Sequence, residues 1–141
     1  MFRTRTADDC EPIYQLICEL EEQTLPHDTF AAIYASQCHD PAYSGIVYED
    51  SDGISAFLNL RFEPQLHHAG LICEAMELVV SPALRSRGIG AQLLAEACRL
   101  AEARGCMQLE LSCGRQREAA HRFYQRNGMR QKSLKFCKEL G

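Results

Sequence analysis

The stretch that most constrains the fold is MELVVSPALRSRGIGAQLL, residues 76–94. An apolar, β-branched run ends at Ser81-Pro82, and only six residues later a segment begins whose apolar positions Ile89, Leu93, Leu94, Ala97 and Ala101 recur at helical spacing. A buried strand therefore passes almost directly into an amphipathic helix. Gly105 supplies a C-terminal stop for that helix, and MQLELSC (107–113) alternates as a strand, so the chain contains a strand–helix–strand crossover. Between strand and helix stand Arg85-Ser86-Arg87-Gly88-Ile89-Gly90. Glycines there let backbone approach a ligand closely, and a helix N-terminus offers unpaired amides and a partial positive charge. With two arginines and no aspartate cap, the loop reads as a site for a phosphate or pyrophosphate. Taken without its neighbours, the same loop reads as a solvated turn. The Lys-Ser/Thr of a Walker loop is missing and the three-glycine spacing of a dinucleotide fold is not met, which removes two competing phosphate motifs.

The flanking sequence fills in a mixed architecture. FRTRTA (2–7) alternates as an opening strand. A helix follows, with Thr6 or Asp8 as N-cap, Pro12 in its first turn and Ile13, Leu16, Ile17 and Leu20 as its buried stripe. DTFAAIYASQC (28–38) makes a second helix, and YSGIVYED and ISAFLNLRF flank Ser51-Asp52-Gly53 as an antiparallel hairpin. AGLICEAMELVV (69–80) is the long strand before the loop, REAAHRFYQRNG (117–128) is a further helix, and KSLKFCKEL (132–140) is expected as a closing strand. The fold class is α+β: one domain over 1–141, a mostly antiparallel twisted central sheet flanked by about four helices.

Composition narrows the function. A net charge of −4, from 15 basic and 19 acidic residues, argues against a general nucleic-acid binder. No apolar run approaches the roughly 20 residues that span a bilayer, and MFRTRTADD lacks a signal peptide's apolar core, so a cytoplasmic protein without membrane attachment is expected. The eight cysteines form no C-x-x-C pair and mostly replace small hydrophobes, which makes them packing residues rather than zinc ligands or disulfides.

The stretch ELVVSPALRSRGIGAQLL resembles the acetyl-CoA signature of the GNAT superfamily of N-acetyltransferases, whose R-x-x-G-x-G is matched by Arg85, Gly88 and Gly90. AAHRFYQRNGM (119–129) resembles the second signature, A-x-x-x-Y-x-x-x-G-F, with Ala120, Tyr124 and Gly128 in register. Within the superfamily, YQLICEL, QLHHAGLICEAMELVV and AHRFYQRNG are similar to stretches of the bacterial aminoalkylphosphonate N-acetyltransferases. Arg117 stands where many members carry a cofactor-contacting asparagine, and Met129 replaces the common Phe.

The resemblance implies an acetyltransferase acting on a primary amine. It implies that Arg85 and the amides of Arg87, Gly88, Ile89 and Gly90 hold the pyrophosphate of acetyl-CoA. The edge of Leu78, Val79 and Val80 would pair with the pantetheine arm, the Val79 N–H polarising the thioester carbonyl. Tyr124 would protonate the departing thiolate.

An alkylamine with a pKa near ~10.4 must lose a proton before it attacks, and Glu77, Glu74, His67 and His68 are the candidate bases, with Glu77 preferred. Strand alternation puts Glu74 and Glu77 on opposite faces unless a bulge intervenes, so one of them is expected at the substrate. An anionic acceptor would need Arg61, His67 or His68, the adjacent histidines pointing to opposite faces of a strand. A metal is not required, a divalent ion on one His and a nearby Glu being a minor alternative. The best-matched acceptor is a small aminoalkylphosphonate. The same fold could instead acetylate an aminoglycoside, polyamine or protein amine, and a chain of another class would sense acyl-CoA without catalysis. The open edge of the last strand is where a second copy could pair into a homodimer.

Overall fold

The computed structural model describes residues 1–141. They divide into two compact units, Met1–Glu110 and Leu111–Gly141. The first holds β1 (Phe2–Thr4), α1 (Cys10–Glu21), α2 (His27–Cys38), β2 (Tyr43–Asp50), β3 (Gly53–Gln65), β4 (Gly70–Val80) and α3 (Ile89–Ala103). β5 (Gln108–Leu111) reaches into the second unit, which also contains α4 (Glu118–Arg126). Strand order is β1-β2-β3-β4-β5. The first four strands are antiparallel neighbours. β5 joins β4 beside its start, with Met107 N–H donating to Leu71 O at 2.9 Å, the arrangement a strand–helix–strand crossover produces.

Alternation along β3 separates two cores. Phe57 packs with Val47, Val79 and the stripe Ile13, Leu16, Ile17 and Tyr34 from α1 and α2. The even-numbered Ala56, Leu58 and Leu60 are buried on the opposite face, and α3 contacts β3 and β4 through a stripe of buried Ile89, Leu93, Leu94, Ala97 and Ala101. A fully buried leucine such as Leu93 contributes about 1.5–3 kcal/mol. All eight cysteines are free, and burial pushes the Cys73 thiol up to about 12, as suits a packing residue.

Two expectations are corrected. Thr6 caps a short 3-10 turn, Ala7–Asp9, that precedes α1, and Asp8 is exposed and caps nothing. The closing strand is absent: residues 129–141 have no regular structure, and Leu134, Phe136 and Leu140 are exposed. A period-two pattern makes a strand only where a neighbour pairs its backbone, and no ladder includes this segment.

The N-terminal strand is fastened to α1 by one buried carboxylate. Arg3 donates two N–H groups to Asp9, at 2.8 and 2.9 Å, and the Thr6 amide donates to the same carboxylate at 2.7 Å. The Arg3 hydrogen bonds hold the Asp9 carboxyl below its ordinary range despite its burial. A depressed pKa in the folded state contributes stability that is present above the unfolded value of ~3.9 and is lost as pH falls through the folded value. Asp9→Ala should therefore lower the unfolding free energy at neutral pH by about 1–3 kcal/mol, and its deficit should shrink below pH ~4 in urea melts.

Candidate active site

Two rows cross β2, β3 and β4 on the face that α1 and α2 cover. In one, Gly45 pairs with Asn59 and Asn59 with Glu77; in the other, Tyr43 pairs with Arg61 and Arg61 with Glu74. Between the rows β4 has one residue more than β3. Leu60 opposes Ala75 while Asn59 opposes Glu77, so Met76 is the extra residue of a β-bulge. Without it, residues three apart would point to opposite faces. The bulge brings both Glu74 and Glu77 onto the Phe57 face, which corrects the expectation that one alone would reach it.

Neutral and charged partners then hold the two carboxylates differently. Asn59 is 2% exposed, and its Nδ2 donates to Glu77 Oε1 at 2.8 Å and to Gln37 Oε1, from α2, at 2.9 Å. Arg61 Nη2 donates to Glu74 at 3.0 Å and lies 3.7 Å from Glu63. Burial raises the Glu77 pKa above the ordinary carboxylate range; the Asn59 hydrogen bond and the charge of Arg5 oppose that rise, and Glu21 and Glu74 add to it. A carboxylate so tuned is suited to accept a proton from an ammonium group.

His67 and His68 lie elsewhere. They occupy a 3-10 turn between β3 and β4 rather than a strand, their ring centroids 4.3 Å apart, and His68 Nδ1 meets Gln65 Oε1 at 2.8 Å. The expected opposite-face arrangement fails because a turn does not alternate. Gln65 lies six steps along β3 from Asn59, about 20 Å at ~3.3 Å per residue, so the histidines are not beside Glu77. No group of three or more His, Cys, Asp or Glu is arranged to hold a metal ion.

At the end of β4 the ladder decides which amides are free. Ser81 N–H donates to Ser55 O at 2.7 Å, and alternation from that bond turns the Val79 N–H toward β3 as well. Leu78 and Val80 point their N–H groups away from β3, so the outward donors flank the expected Val79. Beyond Val80, Arg85 Nε donates to Val80 O at 3.3 Å. Arg85 and Arg87 are exposed, Ser86 and Gly88 adopt left-handed backbone at φ 70° and 80°, and α3 begins without an acidic residue in its first turn. The first helical bond is Gln92 N–H to Gly88 O, so the amides of Gly88, Ile89 and Gly90 precede the helical ladder, whereas the expected Arg87 amide donates to Leu84 O at 3.4 Å within the turn. The loop combines open amides, a helix N-terminus and two cations, the donor set an anionic pyrophosphate requires.

The C-terminal unit carries Tyr124 on α4, where its ring packs edge-on against Phe123 at 5.3 Å between centroids. Burial raises the Tyr124 pKa above its ordinary value, with Cys113 adding to the rise and Arg117 opposing it, so the phenol stays protonated at neutral pH. His121 Nε2 meets Gly114 O at 2.8 Å and steadies the start of that helix.

This sequence of elements, with the glycine loop between β4 and α3, matches a known family: residues 10–129 fit the model of the Acetyltransferase (GNAT) family. The chain belongs to the GNAT acetyltransferases. It is 37% identical over 138 residues to the aminoalkylphosphonate N-acetyltransferase of Salmonella typhimurium (strain LT2), covering 98% of this chain and 90% of that one. Among solved structures, it is similar to a putative acetyltransferase from Agrobacterium tumefaciens str. C58, with a TM-score of 0.87, 23% identity and 99% of each chain covered. It is also similar to AAC(6')-Iy in complex with a bisubstrate analog, CoA-S-monomethyl-acetylneamine, with a TM-score of 0.87, 15% identity, and 100% and 98% of the two chains covered. At those identities the structural likenesses speak for the fold. Membership makes the protein an acetyltransferase and implies acetyl-CoA as the acetyl donor of this GNAT enzyme.

Three polar residues of the GNAT sheet face escaped the sequence reading: Arg5, Gln37 and Asn59. The signal for Asn59 was its isolation in AFLNLRF, one amide among apolar neighbours. Arg5 and Gln37 carried no local signal, since each joins the site through a long-range contact. Gly88→Val, which forces a branched side chain into left-handed backbone, should lower stability by about 1–2 kcal/mol in thermal unfolding of the unliganded GNAT protein.

Proposed function

We propose that the protein transfers the acetyl group of acetyl-CoA to the primary amine of a small aminoalkylphosphonate. The observation that carries this reading is the pair of rows joined by the Met76 bulge, where Glu77 and Arg61 share one face. An aminoalkylphosphonate has an ammonium group at one end and an anionic head at the other. Glu77 receives the ammonium end and takes its proton, directly or through water, leaving the neutral amine that attacks. Arg61 offers the anionic head a planar set of donors, of which Nη2 is shared with Glu74 and the buried Nε has no partner. The 37% identity with an aminoalkylphosphonate N-acetyltransferase supports the same acceptor.

Acetyl-CoA supplies the activated thioester. The Gly88–Gly90 amides, with Arg85 and Arg87, hold its pyrophosphate, and the outward N–H groups of Leu78 and Val80 offer hydrogen bonds to the pantetheine arm and to the charge that develops on the carbonyl oxygen. Nitrogen–carbon bond formation is followed by carbon–sulfur cleavage; in the role that the family resemblance gives it, the Tyr124 phenol protonates the departing thiolate, and the proton still carried by the acylated nitrogen passes through water to restore the phenol.

A second reading has its own support. Glu63, Glu74 and Glu77 line the same face as Arg61, a carboxylate majority that suits a cationic acceptor such as a polyamine or aminoglycoside. Free-thiol release from acetyl-CoA with aminomethyl- and aminoethylphosphonate, spermidine, an aminoglycoside and a lysine peptide decides between the two. The phosphonates should turn over fastest; turnover confined to spermidine or the aminoglycoside would replace this reading with the second, and no turnover with any amine would point to a sensor of acyl-CoA.

Two substitutions test the assigned roles. Because the reactive form of Glu77 is the carboxylate and its pKa is raised, kcat/KM should fall as pH drops through a value above the ordinary ~4.3, and Glu77→Gln should abolish that dependence together with most of the activity. Tyr124→Phe should lower kcat by about 10²-fold or more with little change in acetyl-CoA affinity, measured by steady-state kinetics and calorimetry.

A further inference from the structure

Beside Glu77 lies a buried cation that none of the roles above uses. Arg5 follows β1 and is 8% exposed, although no carboxylate is hydrogen-bonded to it. Its Nη2 donates to Gln37 O at 3.3 Å, its guanidinium carbon lies 5.2 Å from the centre of the Tyr34 ring and 6.0 Å from that of Phe57, and its Nη1 is buried without a partner. Burying a guanidinium with an unused donor is costly, so packing alone is a poor reason to keep it.

The ladder shows where that charge is directed. The Arg5 amide donates to Gly45 O at 3.0 Å, and a Cβ on Gly45 would stand 2.7 Å from Arg5 Cγ and Cδ. Gly45 is the β2 member of the row that continues through Asn59 to Glu77, so the Arg5 side chain passes over the head of this row. α2 joins the same residues from above: Gln37 accepts from Arg5 with its backbone carbonyl and from Asn59 with its side-chain oxygen. Asn59 spends its amide nitrogen on Gln37 and Glu77 together.

We infer that Arg5, Gln37 and Asn59 are positioning residues for the acetyl transfer, a row that aims the Glu77 carboxylate through the Asn59 amide and sets a buried cation at its head, with Gly45 as the gap that admits Arg5. The inference rests on the reading of Glu77 as base. The charged groups set around Glu77 are Arg5 after β1, Glu21 at the end of α1, Arg61 and Glu63 on β3, and Glu74 on β4; α2 contributes the uncharged Gln37. Glu21 and Glu74, in addition to burial, favour the protonated acid, and Arg61 is already paired with Glu74. That leaves Arg5 and the Asn59 amide to oppose them.

The test is a carbon-13 titration of the Glu77 carboxyl in the full-length protein, alongside the pH profile of kcat/KM. Asn59→Ala should raise the Glu77 midpoint and the acid limb together by about one pH unit, and Arg5→Gln should move both in the same direction while Arg5→Lys returns them toward the wild-type position. Gln37→Leu, on the half-buried side of α2, should give a smaller shift of the same sign and carries the test where Arg5→Gln does not fold. Midpoints and limbs unmoved in these variants, with only a loss of folded protein, would overturn the inference and leave Arg5 as a packing residue. Full activity in Glu77→Gln with the carboxyl shifts still observed in the other variants would overturn the base reading instead, so the two failures are separable.

Discussion

One extra residue in β4 organises the site. Met76 has no partner on β3, and by spending one residue without advancing the ladder it changes the parity of everything that follows. Glu74 before the bulge and Glu77 after it consequently share a face, opposite Arg61 and Asn59. The same change of parity sets which amides at the end of β4 point away from β3: Leu78 and Val80 do, and Val79 does not. A single backbone irregularity thus governs both the carboxylate placement and the donors offered at the strand edge.

The electrostatics are local rather than global. A chain with net charge −4 carries two exposed arginines at the uncapped start of α3, where the helix dipole and the free amides add to them. On the α1/α2 face of the sheet the arrangement is reversed: three glutamates stand against Arg61 and the buried Arg5. The anionic cosubstrate and the ammonium-bearing acceptor of an acetyl transfer require opposite fields. The first unit carries fields of both signs, a positive one at the start of α3 and an acidic one on the α1/α2 face of the sheet.

Much of this was legible from residue order. The crossover, the amphipathic stripe of α3, the hairpin around Asp52-Gly53 and the glycine loop follow from periodicity and turn chemistry, which act over a few residues. The closing strand over KSLKFCKEL was not borne out, because alternation describes a strand without supplying its neighbour. The histidines were misplaced for a related reason: Leu66-His67-His68 lies where β3 ends and a 3-10 turn begins, and side-chain alternation stops there. Asn59 was visible as an isolated amide in an apolar strand, but its partners Gln37 and Glu77 are 22 and 18 residues away in the chain.

By itself, then, the sequence determined the elements from β1 to α4, their order and the family, since the strand–loop–helix passage and the Tyr124 segment are contiguous and their residues need only local backbone rules to be recognised. Tertiary structure alone decided which side chains meet. A bulge is a property of two paired strands, the direction of an amide depends on which neighbour it bonds, and the convergence of Arg5, Gln37 and Asn59 on Glu77 exists only once β1, α2, β3 and β4 lie side by side. The physical reason is that periodicity assigns a residue to a face of its own element, whereas register between elements determines what stands opposite it.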